Sequence, residues 1–262
     1  MNSQQSYSMK TNIIHVLCEG QTELRFVEKV LKPYLMTQKV TSAKGNPQMD
    51  QEGGLLFMTQ NVTSVKGILV TTNKKKNALG GMVSYQHAEN NLNILLSSKD
   101  NAHEHHIFTT MFDLYALPSD FPGYETAICI TDKYERVAAL EAAYSLKVGD
   151  NRFVPYIQLH EFEALVLCGL NYLPDRYAGC EKRCKELTKA LADSNGNPEL
   201  VNDGPNTAPS KRIIRAIEDG TERCYHYNKV ITGVYITGKV GMERLRSQCR
   251  HFNEWIEKLL HS

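Results

Sequence analysis

Residues 13–35 read IIHVLCEGQTELRFVEKVLKPYL, and this segment already indicates the class of the domain. The apolar run at 13–18 predicts a buried β-strand that stops at Glu19-Gly20. From Thr22 onward the apolar residues recur at helical spacing, so an α-helix is expected to follow directly. Glu19 therefore stands at the carboxyl end of a strand and ahead of a helix, where open α/β sheets bind their ligands. A carboxylate in that position could hold a divalent cation or act as a base.

The same alternation of strand and helix continues through the first two thirds of the chain. Further apolar runs predict strands at residues 65–70, 103–113 and 152–159. Periodic segments predict helices at residues 84–97, 131–146 and 160–167, with Thr131 as the N-cap of the second. The polar, glycine-bearing segment 36–60 predicts a loop. This order indicates an α/β fold with a largely parallel sheet flanked by helices.

The pattern changes after residue 170, where helices dominate. Helical segments are expected at residues 181–193, 209–218 and 242–260, whereas short apolar stretches within residues 230–236 could be strands or helix ends. We therefore predict a flexible tail at 1–10, an α/β core at 11–170, and a mainly helical C-terminal region at 171–262 that packs on the core.

The composition is that of an ordinary soluble protein. Hydrophobic residues make up 42% and charged residues 23% of the 262 residues, which is enough apolar material for a real core. A net charge of +1 gives no global attraction to nucleic acid or membranes, so any nucleic-acid contact needs a local basic patch. No apolar run has the length of a membrane span, and the polar N-terminus lacks a secretory signal. The seven cysteines are irregularly spaced, which favours reduced thiols and a cytoplasmic location.

Acidic side chains follow three of the predicted strands. Glu19 comes after the first strand, Asp113 ends the third, and His160-Glu161-x-Glu163 follows the fourth. If these strands are parallel neighbours, the acidic groups meet at one edge of the sheet. Carboxylates suit Mg²⁺ or Mn²⁺, and His160 could be a ligand, a general base or a group that orients a ligand. The same acids also suit the N-termini of helices, and His160 could equally be a structural residue.

The motif CEGQTE at residues 18–23 resembles the first motif of Toprim domains, in which a glutamate and a glycine join a strand to a helix. Over a longer span the chain resembles a bacterial family named domain of unknown function four-two-seven-six. This resemblance is carried by the following stretches, which run in order from residue 16 to residue 259: VLCEGQTELRFVEKVLKPYL, TTMFDLYALPSDFPG, YIQLHEFEALVL, GPNTAPSKRI and GMERLRSQCRHFNEWIEKL. It implies a Toprim-like fold related to the Toprim domains of overcoming-lysogenization-defect (OLD) nucleases.

The resemblance implies a function as well as a fold. In Toprim domains the first glutamate and a later Asp-x-Asp motif together handle a divalent metal. Family members are often encoded beside ABC-type ATPases, which implies a role in phage defence with an ABC/OLD-type ATPase partner. Here the Asp-x-Asp motif becomes Asp113-Leu114-Tyr115, so one carboxylate is absent, and a neutral phenol is a poor ligand for Mg²⁺. Asp120, in the following loop, and Asp132, at a helix start, are weaker substitutes.

Our leading hypothesis is a metal-dependent nuclease that cleaves DNA or RNA. Glu19 and Asp113 would bind Mg²⁺ or Mn²⁺, and Glu161 or Glu163 would replace the absent carboxylate. His160 would orient a reacting group or relay a proton. The alternative is a non-catalytic Toprim-like module that binds an ATPase partner or nucleic acid, with the acids as structural remnants.

Cationic and cysteine residues offer further candidate sites. Lys211 lies near the start of a predicted helix and would stabilise the charge of a phosphate, unless it belongs to a solvated helix face. A lysine run could touch a nucleic-acid backbone, or form a solvated loop, at Lys74, Lys75 and Lys76. A zinc site would draw on Cys180-x-x-x-Cys184, Cys224-x-His226 and Cys249-x-His251, none of which has the tight spacing usual for zinc.

Overall fold

The computed structural model describes residues 11–41, 48–49, 55–56, 59–73, 78–79, 81–202, 204, 206–218 and 225–262. The flexible tail expected at 1–10 and part of the loop expected at 36–60 lie outside the described residues. The same holds for Lys74, Lys75, Lys76 and Cys224. The expectations for those residues stay predictions.

A six-stranded sheet forms the centre of the structure. The strands of the described chain are β1 (Thr11–Cys18), β2 (Lys39–Thr41), β3 (Gln48–Met49), β4 (Leu55–Leu56), β5 (Thr59–Leu69), β6 (Thr71–Asn73), β7 (Ala78–Leu79), β8 (Glu104–Asp113), β9 (Phe153–Val154) and β10 (Ile157–Gln158). The sheet has the order β10-β8-β1-β5-β2, and β9 also pairs with β8. Only the pairing of β2 with β5 is antiparallel within this sheet. The pairs β3–β4 and β6–β7 form two small separate sheets.

Helices cover both faces of the sheet. The α-helices of the described chain are α1 (Gln21–Phe26), α2 (Lys32–Leu35), α3 (Tyr85–Leu96), α4 (Tyr124–Ala127), α5 (Lys133–Val148), α6 (Glu163–Val166), α7 (Glu181–Asp193), α8 (Pro209–Glu218), α9 (Lys229–Val240), α10 (Met242–Gln248) and α11 (Arg250–His261). A π-helical turn at Val27–Leu31 joins α1 to α2. Short 3₁₀ turns occupy Leu114–Ala116, Leu167–Tyr172 and Pro198–Leu200.

The two faces of β1 belong to different cores, because side chains alternate along a strand. Val16 and Cys18 enter the core that also buries Phe26 of α1 and Trp255 of α11. Leu17 enters the opposite core, which lies under α3 and α5. The predicted α/β fold, with a largely parallel sheet flanked by helices, is therefore confirmed.

The last helix is anchored directly on the central sheet. Trp255 is almost completely buried, and its indole ring stacks on Tyr156 with the ring centroids 4.2 Å apart. The indole N–H donates a hydrogen bond to Thr109 Oγ1 of β8 at 2.8 Å. The buried indole N–H of Trp255 therefore has a hydrogen-bond acceptor on a side chain of the sheet. The division of the chain at residue 170 into two domains stays a prediction.

Most of the predicted elements are confirmed, and the differences have local causes. The strand expected at 152–159 is interrupted at Pro155, which has no N–H to donate to a neighbouring strand. The next N–H, of Tyr156, instead donates to Thr110 Oγ1 at 3.1 Å. The expectation of a loop throughout 36–60 is wrong, because β2 forms an edge strand and β5 begins at Thr59. The N-cap of α5 is Asp132 instead of Thr131, since Asp132 Oδ1 accepts the N–H of Glu135.

Two helices in the C-terminal region differ from the sequence-based expectation. The segment 230–236 belongs to helix α9, where the side chain of Asn228 caps the N-terminus by accepting the N–H of Ile231. The helix expected at 242–260 breaks at Cys249, whose backbone is extended. The buried carboxylate of Glu199 accepts the N–H groups of His251 and Phe252, each at 3.0 Å, and so caps the second piece.

None of the described helices is long and apolar enough to cross a membrane.

Helix α9 packs so closely on Phe162, at the start of α6, that Gly233 has no room for a side chain. A Cβ atom at Gly233 would lie 2.7 Å from Cε1 of Phe162 and 3.5 Å from Cγ2 of Thr22. We expect Gly233→Ala to lower the free energy of unfolding by about 1–3 kcal/mol, because the core must shift. Urea unfolding followed by circular dichroism measures this change.

Gly238→Ala is the matched control in the same helix. A Cβ atom there would meet only Val30 Cγ2, at an ordinary 3.8 Å. Alanine favours the helix over glycine by up to about 1 kcal/mol, so Gly238→Ala should be neutral or stabilising. Equal destabilisation by both variants would contradict the close packing at Gly233.

Candidate active site

The register of the sheet brings Glu19 and Asp113 together. β1 and β8 pair in parallel with Cys18, the last residue of β1, opposite Met111, and β8 ends two residues further on at Asp113. The backbone N–H of Asp113 donates a hydrogen bond to Glu19 Oε2 at 3.0 Å. The carbonyl oxygen of Glu19 accepts the N–H of Gly81 at 3.2 Å. Glu19 is therefore held by the backbone of two neighbouring segments.

The His160–Glu163 segment reaches the same edge through β10, which pairs with the end of β8. His160 adopts a left-handed backbone conformation with φ of 62°, which for a residue with a Cβ costs about 1–3 kcal/mol. Its carbonyl oxygen accepts the N–H of Tyr115 at 3.0 Å. Glu161 Oε1 accepts the N–H of Ser210 at 2.5 Å. This tight turn directs the chain into α6, and Glu163 is only 1% exposed there.

Glu23 is a fourth acidic position that the sequence-based reasoning missed. It lies in the first turn of α1, four residues after Glu19, and is 6% exposed. The two side chains are close enough to interact, because the negative charge of Glu19 adds to the increase that burial causes in the pKa of Glu23. The available signal was its place in the motif CEGQTE, where it is the acid in the first turn of the helix that follows Glu19.

Lys229 is the cation of the cluster, and the sequence-based reasoning missed it as well. It is the first residue of α9, and its Nζ lies 3.2 Å from Glu163 Oε1 and 4.0 Å from Glu161 Oε2. The predicted cation, Lys211, is exposed on α8 and forms no ion pair within the described part of the chain. No local motif marks Lys229, because its partners lie more than sixty residues earlier in the sequence.

The carboxylates raise one another's pKa values, and burial is the main cause. Burial raises the pKa of Glu23 to about 7, and the charge of Glu19 adds to the shift. Burial also raises the pKa of Glu163 to about 7, against the opposing effect of Lys229. For Asp113, burial and the charges of Glu23 and Glu19 raise the pKa well above its ordinary value. Burial opposes the charged form of Lys229, yet its pKa is raised by Glu163 and the neighbouring acids.

Asp113 Oδ1 is buried and has no hydrogen-bond donor among the described residues. Buried polar atoms in folded proteins usually have a partner, and a carboxylate oxygen needs a donor or a cation. A single lysine also leaves more negative than positive charge in the cluster. Carboxylate oxygens are the ligands that Mg²⁺ and Mn²⁺ prefer, so these side chains and the unpartnered oxygen of Asp113 fit a divalent cation of this kind.

The arrangement of the side chains sets a limit on how such an ion would be held. Among the described residues, no three His, Cys, Asp or Glu side chains form a group that could hold a metal ion. A cage made only of protein atoms is therefore not preformed. Mg²⁺ usually takes one or two carboxylates and keeps several waters, which is compatible with the pair Glu19 and Asp113.

His160 is neutral in its buried position. Burial, aided by the nearby charge of Lys133, lowers the pKa of His160 to about 4. Its Nδ1 lies 3.4 Å from the side-chain nitrogen of Asn202, whereas Nε2 has no hydrogen-bond partner among the described residues. A neutral imidazole with one unpartnered nitrogen can accept a hydrogen bond or donate one, depending on its tautomer.

The remaining acidic and cysteine candidates have structural partners. Asp120 accepts hydrogen bonds from Ser84 and Tyr85 at the start of α3, and Asp132 caps α5. The zinc candidates instead form buried sulfur pairs, Cys180 with Cys184 at 3.4 Å and Cys168 with Cys249 at 3.5 Å. His251 contacts Glu141 at 2.9 Å. The geometry of the described residues therefore does not support a zinc site.

The raised pKa of Glu23 predicts how stability depends on pH. Folding raises this pKa from 4.5 to about 7, so the folded protein keeps a proton that the unfolded chain releases. Stability should therefore fall as the pH rises through this interval and then level off. In chelator, we expect Glu23→Gln to be more stable than the wild type by about 1–3 kcal/mol near pH 8, with little difference near pH 4.

Urea unfolding at several pH values measures this difference. The matched control is Glu28→Gln, which changes an exposed acid on the adjoining turn of the same helix and should leave the pH dependence unaltered. A difference between Glu23→Gln and the wild type that does not change with pH would contradict the proposed burial effect.

The sequence profile described as Domain of unknown function (DUF4276) matches residues 18–260, a span that contains all the acidic residues of the site and Lys229. No curated protein matches the chain, and no solved structure matches it. The match covers nearly the whole sequence, so the chain belongs to the DUF4276 family.

Proposed function

We propose that this protein is a nuclease that hydrolyses phosphodiester bonds in DNA or RNA with the help of Mg²⁺ or Mn²⁺. The supporting observation is the cluster of buried carboxylates at the carboxyl edge of the sheet, in which Asp113 Oδ1 has no partner among the described residues. Such a concentration of negative charge is costly unless a cation offsets it. A site of this kind is expected to do chemistry because strongly perturbed carboxyl groups cluster at functional positions.

Glu19 and Asp113 are the proposed metal ligands, with Glu163 or Glu161 as further oxygen donors. The backbone N–H of Asp113 donates to Glu19 Oε2 at 3.0 Å, and the charge of Glu19 acts on the carboxyl group of Asp113, whose pKa is raised by burial and by the charges of Glu23 and Glu19. A divalent ion bound there would polarise the phosphodiester and lower the pKa of a bound water. Glu23, in the first turn of α1, adds negative charge that favours the ion.

The other residues of the site can position groups and move protons. Lys229, held near Glu163, carries a positive charge that can neutralise a phosphate oxygen. With a pKa of about 4, His160 is a weak base at neutral pH and is better suited to orient a water molecule through Nε2. Glu163, with a pKa of about 7, is the more suitable proton acceptor because its pKa lies near the working pH. A role of Lys211 at the phosphate stays a prediction.

A relationship to Toprim domains is part of this proposal. The strand, Glu19-Gly20 turn and helix α1 support it, and so does the position of Asp113 on the neighbouring parallel strand. An ABC/OLD-type ATPase partner, a role in phage defence and a cytoplasmic location are proposed on the family resemblance.

A second candidate function is a non-catalytic module that binds an ATPase partner or nucleic acid. The observation in its favour is Tyr115, which stands where Toprim domains have a second aspartate. Burial and the charge of Glu161 raise the pKa of Tyr115 to about 12, so the phenol is neutral and supplies no negative charge for a metal. The site would then keep its acids, and any ion bound to them, without the full set of ligands that cleavage needs.

Cleavage assays test the proposed catalytic function. Plasmid DNA and a mixed-sequence RNA are incubated with the protein and Mg²⁺ or Mn²⁺, with and without a candidate ATPase. We expect Glu19→Gln and Asp113→Asn each to reduce cleavage by roughly 100-fold or more, because each removes a charge that the reaction depends on. Glu28→Gln, an exposed acid near the same helix, should cleave at the wild-type rate.

Metal binding is measured separately by the effect of Mn²⁺ on thermal unfolding. An ion present at about 100 times its dissociation constant should stabilise the wild type by about 2.7 kcal/mol, and Glu19→Gln much less. Stabilisation by Mn²⁺ without cleavage would favour the non-catalytic module. The absence of both would overturn the metal-dependent nuclease.

A further inference from the structure

Tyr115 presents an aromatic surface at the mouth of the carboxylate cluster. It lies two residues after Asp113 in the 3₁₀ turn Leu114–Ala116, and 45% of it is exposed. The turn is fixed, because the N–H of Tyr115 donates to the carbonyl oxygen of His160 at 3.0 Å. The two rings are tilted by 41°, with centroids 5.3 Å apart, and His160 is 1% exposed. One face of the tyrosine ring thus rests on a buried residue while much of the side chain meets solvent.

Two cations in the first turn of α5 exert their charge on this part of the molecule. The charges of Lys133 and Arg136 both act on the imidazole of His160, whose pKa is lowered by burial and then by these charges. Arg136 also acts on the phenol of Tyr115, where it partly offsets the pKa increase caused by burial. The guanidinium is held by the carbonyl oxygen of Ile130, at 2.9 Å from Nε and 2.6 Å from Nη2.

The charges of Lys133 and Arg136 are not neutralised by acids nearby. Within the described part of the chain, neither residue forms an ion pair with a carboxylate. Arg136 uses backbone carbonyl oxygens as its acceptors, so its position is fixed while its full charge remains. A small positive region therefore borders the negative cluster and is available to a polyanion.

An exposed aromatic ring flanked by cations is the combination that binds single-stranded nucleic acid. Bases stack on the ring, and cations contact the phosphates, without regard to sequence. A base inside a duplex already stacks on both sides and has no free face for Tyr115. Two acids of the cluster, Glu161 and Glu163, are recessed, at 9% and 1% exposed, which also favours a flexible strand over a rigid duplex.

We propose that Tyr115, Lys133 and Arg136 form a binding subsite for single-stranded nucleic acid next to the carboxylate cluster. An unpaired base stacks on Tyr115, and the adjoining phosphates contact Lys133 and Arg136. Because Tyr115 follows Asp113 by two residues, the stacked base lies close to the phosphodiester that the cluster would cleave. That the bound strand is a substrate rests on the proposed nuclease function. The binding of a single strand at Tyr115 does not depend on that function.

Binding is tested apart from cleavage by fluorescence anisotropy in chelator at low salt. The probes are a mixed-sequence DNA strand, the RNA strand of the same sequence, and the corresponding DNA duplex. We expect the single strands to bind more tightly than the duplex, and the comparison of DNA with RNA identifies the preferred sugar. Tyr115→Ala and Tyr115→Leu should weaken single-strand binding by at least roughly 5-fold, whereas Tyr115→Phe should stay within about 2-fold of the wild type.

Two matched controls separate this subsite from general effects of charge and aromaticity. Tyr235 is flanked by Arg176 and Lys239 at 5.4 and 5.7 Å, but its hydroxyl binds Asp175 and it contributes nothing to the carboxylate cluster. Tyr235→Ala should leave binding unchanged. Lys133→Gln should reduce the slope of log affinity against log salt by roughly one, unlike Lys147→Gln at the far end of α5.

The outcomes distinguish this inference from the proposed nuclease function. Tyr115-dependent binding of single strands supports the subsite even if no cleavage is found. The subsite is overturned if Tyr115→Ala binds like the wild type, if Tyr115→Phe loses as much affinity as Tyr115→Ala, or if no probe binds. It is likewise overturned if the duplex binds as tightly as the single strands. Cleavage that depends on Glu19 but not on Tyr115 would keep the nuclease function and reject the subsite.

Discussion

The hydrogen bond from the backbone N–H of Asp113 to the carboxylate of Glu19 is the contact on which the candidate site depends. It forms because β1 and β8 are parallel neighbours in a register that pairs Cys18 with Met111 and so brings Asp113 beside the residue that follows β1. A shift of one residue in this register would turn the following side chains to the opposite face of the sheet. Parallel pairing also requires long crossover connections, which here contain the helices α1, α3 and α5. The architecture and the site thus share one cause.

Helix packing and electrostatics are linked through α9. Buried carboxylates strongly favour a nearby positive charge, and Lys229 supplies it at 3.2 Å from Glu163. Lys229 reaches that position because α9 lies against Phe162 and α1, an approach that only glycine permits at position 233. Lys229 offsets the negative charge only in part, since the pKa values of Glu23 and Glu163 are still raised to about 7. The fold therefore holds excess negative charge at the edge where a cation and a phosphate would meet.

Part of the site was predictable because strand ends are local features of a sequence. Glu19, Asp113 and the His160–Glu163 segment each follow an apolar run, and the structure brings them to one edge of the sheet. Glu23 was within reach of the same reasoning, because it lies in the first turn of the helix that follows Glu19. Lys229 was not, because the chain around it has no distinctive pattern and its role depends on an ion pair with a distant segment.

The sequence by itself determined the alternation of strands and helices, the parallel sheet and the acids at its edge, since these follow from apolar periodicity over a few residues. The tertiary structure alone decided that residues 230–236 form a helix, that Glu199 caps α11 and splits the predicted C-terminal helix, and that Lys229 faces the acids. It also decided that Tyr115 rests on His160 at the rim of the site. The physical reason is distance: hydrogen bonds and ion pairs act between atoms a few ångströms apart, and only the folded chain brings residues so remote in sequence that close.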